Sequence, residues 1–327
     1  MELIIKSSHI LYLELERRIY IGLLYIINDK KYLEYYKKGL IRHMPEFLLP
    51  KIKPNIIDDI IKNESLIGKI AGINIKPIEF NDEKELEKYI IGIRNIKTEN
   101  CTNLYIEDHK YISDEILEYI ENTLDMNISK GISTKIFHVP LIIKKIYTLL
   151  REDLGEKEVL ILSEDKEILK KIIKGVSKDL KLITAIGYDN KYENEIYEYI
   201  LEETGLSLFC SSNINKILGN YSIIINLMKD FNLDIEKIKR NCLIFDFSRE
   251  SLAKKEARKS NKIGDFVFQL EDTDINKMKW IEKDVHSDLY ESLNGNCEKD
   301  ISYLSCENDY YTIGEYVNLF MKHRGKL

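Results

Sequence analysis

The chain has 327 residues, 44% of them hydrophobic and 32% charged, with only 15 Gly and 5 Pro. That mix excludes a disordered, collagen-like or proline-rich chain, and the length suits about two domains. Lys+Arg total 49 and Asp+Glu 55, a net charge of −6. This argues against nucleic-acid binding, which draws its affinity from neutralised phosphates.

The N-terminal stretch from Leu3 to Ile27 is apolar, but Glu14, Glu16, Arg17 and Arg18 interrupt it. A membrane-spanning helix needs about 20 nearly uncharged residues, so a cytoplasmic chain with no membrane partner is expected. Leu11, Leu15, Ile19, Leu23 and Ile26 recur at helical spacing and predict one apolar helix face. A second helix is expected from Asp29 to Arg42. Pro45, Pro50 and Pro54 then mark a connector, because each removes an amide donor and pushes its predecessor out of helix. Another helix is expected near Ile56 to Ile67. Residues 1–68 are therefore read as a helical N-terminal region.

Beyond Gly72 the pattern alternates. Ile73 to Phe80 reads as an edge strand, Asp82 to Ile93 as a helix, Asn103 to Glu107 as a strand, and Ser113 onward as a capped helix. Residues 69–150 are expected to form a small α/β domain. Within it, His109 and His138 are considered as general bases, since imidazole titrates near neutrality.

From Glu156 the signals strengthen. Val159-Leu-Ile-Leu162 is an apolar run bounded by charge, as in a strand buried on both faces. Leu180–Ile186, Leu206–Cys210, Tyr221–Leu227, Cys242–Phe247 and Phe266–Leu270 read as five more strands, with helices between, one of them ending at Gly205. Strands alternating with helices call for right-handed crossovers. The fold class expected is α/β, with a doubly wound, mainly parallel Rossmann-like sheet over 151–275. Residues 276–327 are expected to form C-terminal helices that pack back.

In such a sheet, ligands sit beyond the carboxyl ends of the strands, where strand order reverses. With order 3-2-1-4-5-6, the candidate binding residues are Ser163 and Lys166 after the first strand and Asp189 after the second. Asn226 and Lys229 follow the fourth, and Asp246 and Arg249 the fifth. A pyrophosphate needs glycines in the first turn and free amides at a helix N-terminus. This chain offers Ser163-Glu164-Asp165-Lys166-Glu167 instead, with no glycine before Gly175. At 4 Å and an effective dielectric near 20, each like-charge pair there costs about 4 kcal/mol, half the binding energy of a micromolar ligand. Bound NAD(P) is therefore not expected.

The succession Tyr221-Ser-Ile-Ile-Ile-Asn226, Leu243-Ile-Phe-Asp-Phe-Ser-Arg249 and Phe266-Val-Phe-Gln-Leu270 resembles the NAD(P)-binding domain of the shikimate dehydrogenase and glutamyl-tRNA reductase group. That resemblance covers about a third of the chain, 156–272. It implies a Rossmann-like fold and, for the activity, an NAD(P)-dependent oxidoreductase with Asp189 on the ribose and Asn226 or Asp246 near the reacting carbon. The glycine fingerprint, the reductase cysteine and the Lys–Asp pair of the shikimate enzymes have no counterpart here.

Five cysteines without a C-x-x-C, and six histidines without ligand spacing, predict neither a disulfide framework nor a metal site. Tyrosine is abundant at 21, and clusters at Tyr32, Tyr35, Tyr36 and at Tyr303, Tyr310, Tyr311, Tyr316 suit a homo-oligomer surface. No catalytic residue is assigned. Three readings remain open. The first is a binding, regulatory or assembly module with a degenerate dinucleotide site, its partner a small molecule or protein. The others are an NAD(P)-dependent oxidoreductase with a non-standard cofactor loop, and a small-anion sensor using Lys166, Lys229 and Arg249.

Overall fold

The structure is a computed structural model. It describes residues 22–37, 52–63, 65–206, 216–228, 235–248, 262–270, 279–295, 299–307 and 309–322. The chain divides into two compact units, Met1–Lys130 with Leu270–Lys283, and Gly131–Gln269 with Asp284–Leu327.

The first unit holds strands β1 (Gly22–Ile27), β2 (Asn55–Lys62), β3 (Ser65–Gly72), β4 (Cys101–Ile106) and β5 (Asn127–Ile128). Its helices are α1 (Asp29–Tyr36), α2 (Glu83–Ile96) and α3 (Asp114–Leu124). The sheet order is β2-β3-β1-β4-β5, with β3, β1, β4 and β5 parallel and β2 antiparallel to β3. Leu24, Ile26, Leu104 and Ile106 from the central strands meet Ile93 of α2 and Leu117 and Ile120 of α3 in one core.

Three expectations are corrected here. Of the expected helix face, Leu23 and Ile26 lie in strand β1, which is buried on both sides, while Leu11, Leu15 and Ile19 lie outside the described residues. A short run with apolar residues on every side fits helical spacing as readily as a strand, and periodicity does not separate the two. Residues 56 to 67 form the β2–β3 hairpin instead of a helix, and Asn63 takes φ 47° at its turn. The predicted strand at Ile73–Phe80 is also corrected. Strand β3 ends at Gly72, and Pro77 starts a 3-10 turn, a position where its missing amide costs nothing. The proline connector lies mostly outside the described residues.

The second unit begins with α4 (Ile132–Leu150), which packs against the later helices α5 (Lys166–Val176) and α7 (Ser287–Asn294). Strands β6 (Glu158–Leu162), β7 (Leu182–Ile186), β8 (Ile223–Asn226), β9 (Leu243–Asp246) and β10 (Lys262–Ile263) form a wholly parallel sheet in the order β10-β9-β8-β6-β7. Helix α6 (Glu193–Thr204) follows β7 and ends at Gly205 in the left-handed region. Every residue of β8 and β9 is buried, as a sheet covered on both faces requires. This is the Rossmann-like α/β architecture. The expected third strand at Leu206–Cys210 falls almost entirely outside the described residues.

The sixth strand differs from expectation. Phe266–Leu270 does not join the parallel sheet, whose edge is β10. It supplies β11 (Asp265–Gln269) of a separate antiparallel sheet, β12-β11-β13-β14, with β12 (Asp284–His286), β13 (Tyr303–Cys306) and β14 (Asp309–Tyr311). A short strand and then α7 therefore replace the single helix expected at Lys283–Leu293. A capping box between Thr312 and Glu315 starts the last helical segment, α8 (Ile313–Tyr316).

Candidate functional site

Chain order places a reversal in each parallel sheet. In the second unit the chain runs from β6 outward to β7, then crosses to β8 on the other side of β6. The crevice between the carboxyl ends of β6 and β8 is where a Rossmann-like unit places its ligand.

Several of the protein's own polar groups stand at this crevice. Asp165 is the N-cap of α5, and its carboxylate accepts the amides of Glu167 (2.8 Å) and Ile168 (3.1 Å). Ser163, 1% exposed, donates its hydroxyl to the Asp165 carbonyl at 3.0 Å. Glu164 is exposed. Gly187 follows β7 at φ 103°, and a Cβ there would lie 2.3 Å from Met228 Sδ and 3.1 Å from the Ser163 carbonyl oxygen. The loops after β6, β7 and β8 thus close on one another.

Beside it, Asn226 at the end of β8 is fully buried and donates from Nδ2 to Oδ1 of Asp246 at 2.9 Å. Its Oδ1 accepts the Met228 amide at 3.1 Å, and the Ser248 hydroxyl donates to the same Asp246 oxygen at 2.6 Å. Asp246 is buried as well. Ser163, Asn226 and Asp246 therefore stand on neighbouring strand ends.

Other predicted residues stand elsewhere. Asp189 is exposed, accepts the Lys191 amide at 3.0 Å and pairs with its ammonium at 2.8 Å. The Lys191 hydrogen bonds hold its carboxyl below the usual carboxylate range. The Lys166 ammonium is spent on Glu195 at 2.9 Å and lies 4.2 Å from the Tyr192 ring centre. Lys229 and Arg249 lie outside the described residues. His138 is 2% exposed, with its two ring nitrogens facing the carbonyls of Thr134 in α4 (2.8 Å) and of Lys299 (3.1 Å). His109 places its Nδ1 3.0 Å from the Ile106 carbonyl oxygen, at the end of β4.

The first unit has its own reversal. The chain passes from β1 to β3 on one side, then to β4 on the other. At the carboxyl ends of these strands lies a small cleft with room for about one water molecule. Ile27, Ile73 and Ile75 give it apolar walls, and Asp29, Glu107 and Asp108 bring three carboxyl groups. Asn28 caps α1 by accepting the Lys31 amide at 2.8 Å. Glu107 ties β4 to that helix start, accepting the Asn28 amide at 2.7 Å and pairing with the Lys31 ammonium. Burial raises the Asp108 pKa, and the negative charges of Glu107 and Asp29 push it the same way. Tyr89 of α2, 2% exposed, lines the same cleft.

Sequence reasoning missed this second place. Its signal was Asn28-Asp29 directly after the apolar run of Leu23 to Ile27, which marks a strand end only once that run is read as a strand.

Among the described residues no helix is long and apolar enough to cross a membrane, and no group of three His, Cys, Asp or Glu could hold a metal ion. No protein-family model matches the chain, and no curated protein matches it. Solved structures show weak likenesses. A dipicolinate synthase structure from Bacillus halodurans is 13% identical at a TM-score of 0.31, over 49% of this chain and 54% of that one. The dipicolinate synthase of Bacillus subtilis is 13% identical at 0.33, over 70% of this chain and 80% of that one. A shikimate dehydrogenase solved in complex with NADP+ is 11% identical at 0.30, over 69% and 76%. The chain spans about half the length of the first of these.

Proposed function

We propose that this protein is a binding, regulatory or assembly module on a Rossmann-like scaffold, not a dinucleotide-dependent oxidoreductase. One observation carries the reading. The amides of Glu167 and Ile168, which in a dinucleotide site would face the pyrophosphate, are taken by the carboxylate of Asp165. A diphosphate would have to displace that carboxylate and then sit beside it, and like charges at such separation cost about 4 kcal/mol at an effective dielectric near 20.

The buried Asn226–Asp246–Ser248 cluster supports the same reading, because its hydrogen bonds point inward to one another. Asp189 supports it too, since the Lys191 ammonium occupies it where a ribose would need it free. Cys101, Cys242 and Cys306 are free and buried, and burial pushes the Cys242 and Cys306 thiols up to about 12, which suits inert thiols in a reducing cytoplasm.

The test is isothermal titration of the full chain with NAD(H) and NADP(H). The expected result is no saturable heat up to about 1 mM, the affinity at which binding is worth only ~4 kcal/mol. A micromolar dissociation constant for any of the four would refute the proposal and return the oxidoreductase reading.

A further inference from the structure

Three side chains of the antiparallel sheet line up in the second unit. Asp265 starts β11, His286 ends β12, and Tyr310 stands in the middle of β14. His286 Nδ1 is 3.3 Å from Asp265 Oδ2, and its Nε2 is 3.2 Å from the Tyr310 hydroxyl. Strands β12 and β14 are opposite edges of this sheet, so the two side chains meet across the strands between them. Tyr310 pairs with Ser305 of β13, and Ser305 pairs with Asp265, which sets phenol and carboxylate in one cross-strand row.

Asp265 is fixed from two further directions. Its Oδ1 accepts the Phe266 amide at 2.7 Å and faces the Lys135 ammonium at 3.6 Å. A carboxylate anchored in this way holds the neutral imidazole with its proton on Nδ1, leaving the Nε2 lone pair for the phenol. Carboxylate, imidazole and hydroxyl in contact are the arrangement in which a hydroxyl nucleophile passes its proton to a base that a third group orients. Tyr310 is 55% exposed, so its oxygen is within reach of a reagent. An ordinary phenol, with a pKa of about 10, is only ~1% ionised at pH 8, so a base in contact is what raises its reactivity.

Local charge selects the group transferred. The carboxylates of Asp265 and Asp288 act on His286 against the ammonium of Lys135, and Asp309 precedes Tyr310 in β14. A phosphoryl donor would carry more negative charge into that surplus, whereas an uncharged acyl donor does not.

We infer that Tyr310 is a nucleophilic tyrosine that takes an acyl group from a small uncharged donor, with His286 as its base and Asp265 positioning the imidazole. The phenol oxygen bonds to the acyl carbon while the bond from that carbon to the leaving group breaks. The phenol proton passes to His286 Nε2 and from there to the leaving group, so the imidazole ends neutral. None of these residues belongs to the β6–β8 crevice, so their chemistry is independent of nucleotide binding there.

The experiment treats the full chain with N-acetylimidazole at pH 8 and follows acetylation of each tyrosine by peptide mass spectrometry, with hydroxylamine release marking the tyrosine esters. Tyr111, 67% exposed, and Tyr119, 56% exposed, serve as references in the same sample. Tyr310 is expected to react at least threefold faster than either. A phenol merely held in a hydrogen bond would react no faster than they do. In His286→Gln and in Asp265→Asn the excess should vanish while Tyr111 and Tyr119 keep their rates, which unfolding would not allow. A Tyr310 rate below three times the references would overturn the proposal, and so would an excess retained in either folded variant. The comparison within the parent needs no substitution and decides the matter even if neither variant folds.

Discussion

His286 stands between two partners of different kinds. Its Nδ1 lies 3.3 Å from Oδ2 of Asp265, and its Nε2 lies 3.2 Å from the Tyr310 hydroxyl. Burial disfavours the imidazolium, but the hydrogen bond to Asp265 and the negative charges of Asp265 and Asp288 outweigh it. Lys135 of α4 opposes the charge of His286 while pairing with Asp265 at 3.6 Å. The net effect raises the His286 pKa above its ordinary value. A group whose folded pKa is raised contributes stability that is complete below the unfolded pKa of about 6.5 and is lost as pH rises through the folded one. Asp265 is pulled below the usual carboxylate range, against its own burial, by Lys135 and His286, so its contribution is constant above about pH 4. Urea midpoints should therefore fall as pH rises above about 6.5, and His286→Gln should flatten that slope. An identical slope in the variant would assign the pH dependence elsewhere.

Helix α5 shows how one residue defines an element and closes a site at once. Removing the Asp165 cap by Asp165→Ala should cost about 1 kcal/mol in chemical denaturation, the ordinary worth of an N-cap carboxylate. Gly187→Ala should cost more. It adds the strain of φ 103° to a Cβ placed 2.3 Å from Met228 Sδ. The sequence made this element legible for a physical reason. Val159 to Leu162 is apolar, bounded by charge, and followed by Ile168, Leu169, Ile172 and Ile173, and α5 buries Leu169, Ile172 and Ile173. Strand β1 was illegible because GLLYII carries no polar residue to expose a period of two, and only its pairing with β3 and β4 decides it. The β2–β3 hairpin was hidden because Asp58 and Asp59 sit side by side in β2, where clean alternation would separate them. Strand β11 was assigned to the wrong sheet because its apolar run, DFVFQ, matches a parallel core strand in composition. Its antiparallel partners β12 and β13 come later in the chain.

The mixed sheet of the first unit and the parallel sheet of the second carry the same kind of reversal, and the polar groups at their strand ends are satisfied differently. In the second unit Asn226 and Ser248 both donate to the buried carboxylate of Asp246. In the first unit Asp108 has no donor among the described residues, so its charge burdens the fold. Opposite outcomes follow from removing one polar group in each place. Asn226→Ala takes a hydrogen-bond donor from a buried carboxylate and should destabilise by about 1–3 kcal/mol. Asp108→Asn should leave stability at pH 7 equal or higher. A carboxyl whose folded pKa is raised imposes a penalty that is absent below its unfolded pKa and complete above its folded one, and the amide removes it. Guanidinium denaturation of the two variants beside the parent at pH 7 measures both effects. A marked loss of stability in Asp108→Asn would make Asp108 part of the framework, as Asn226 is.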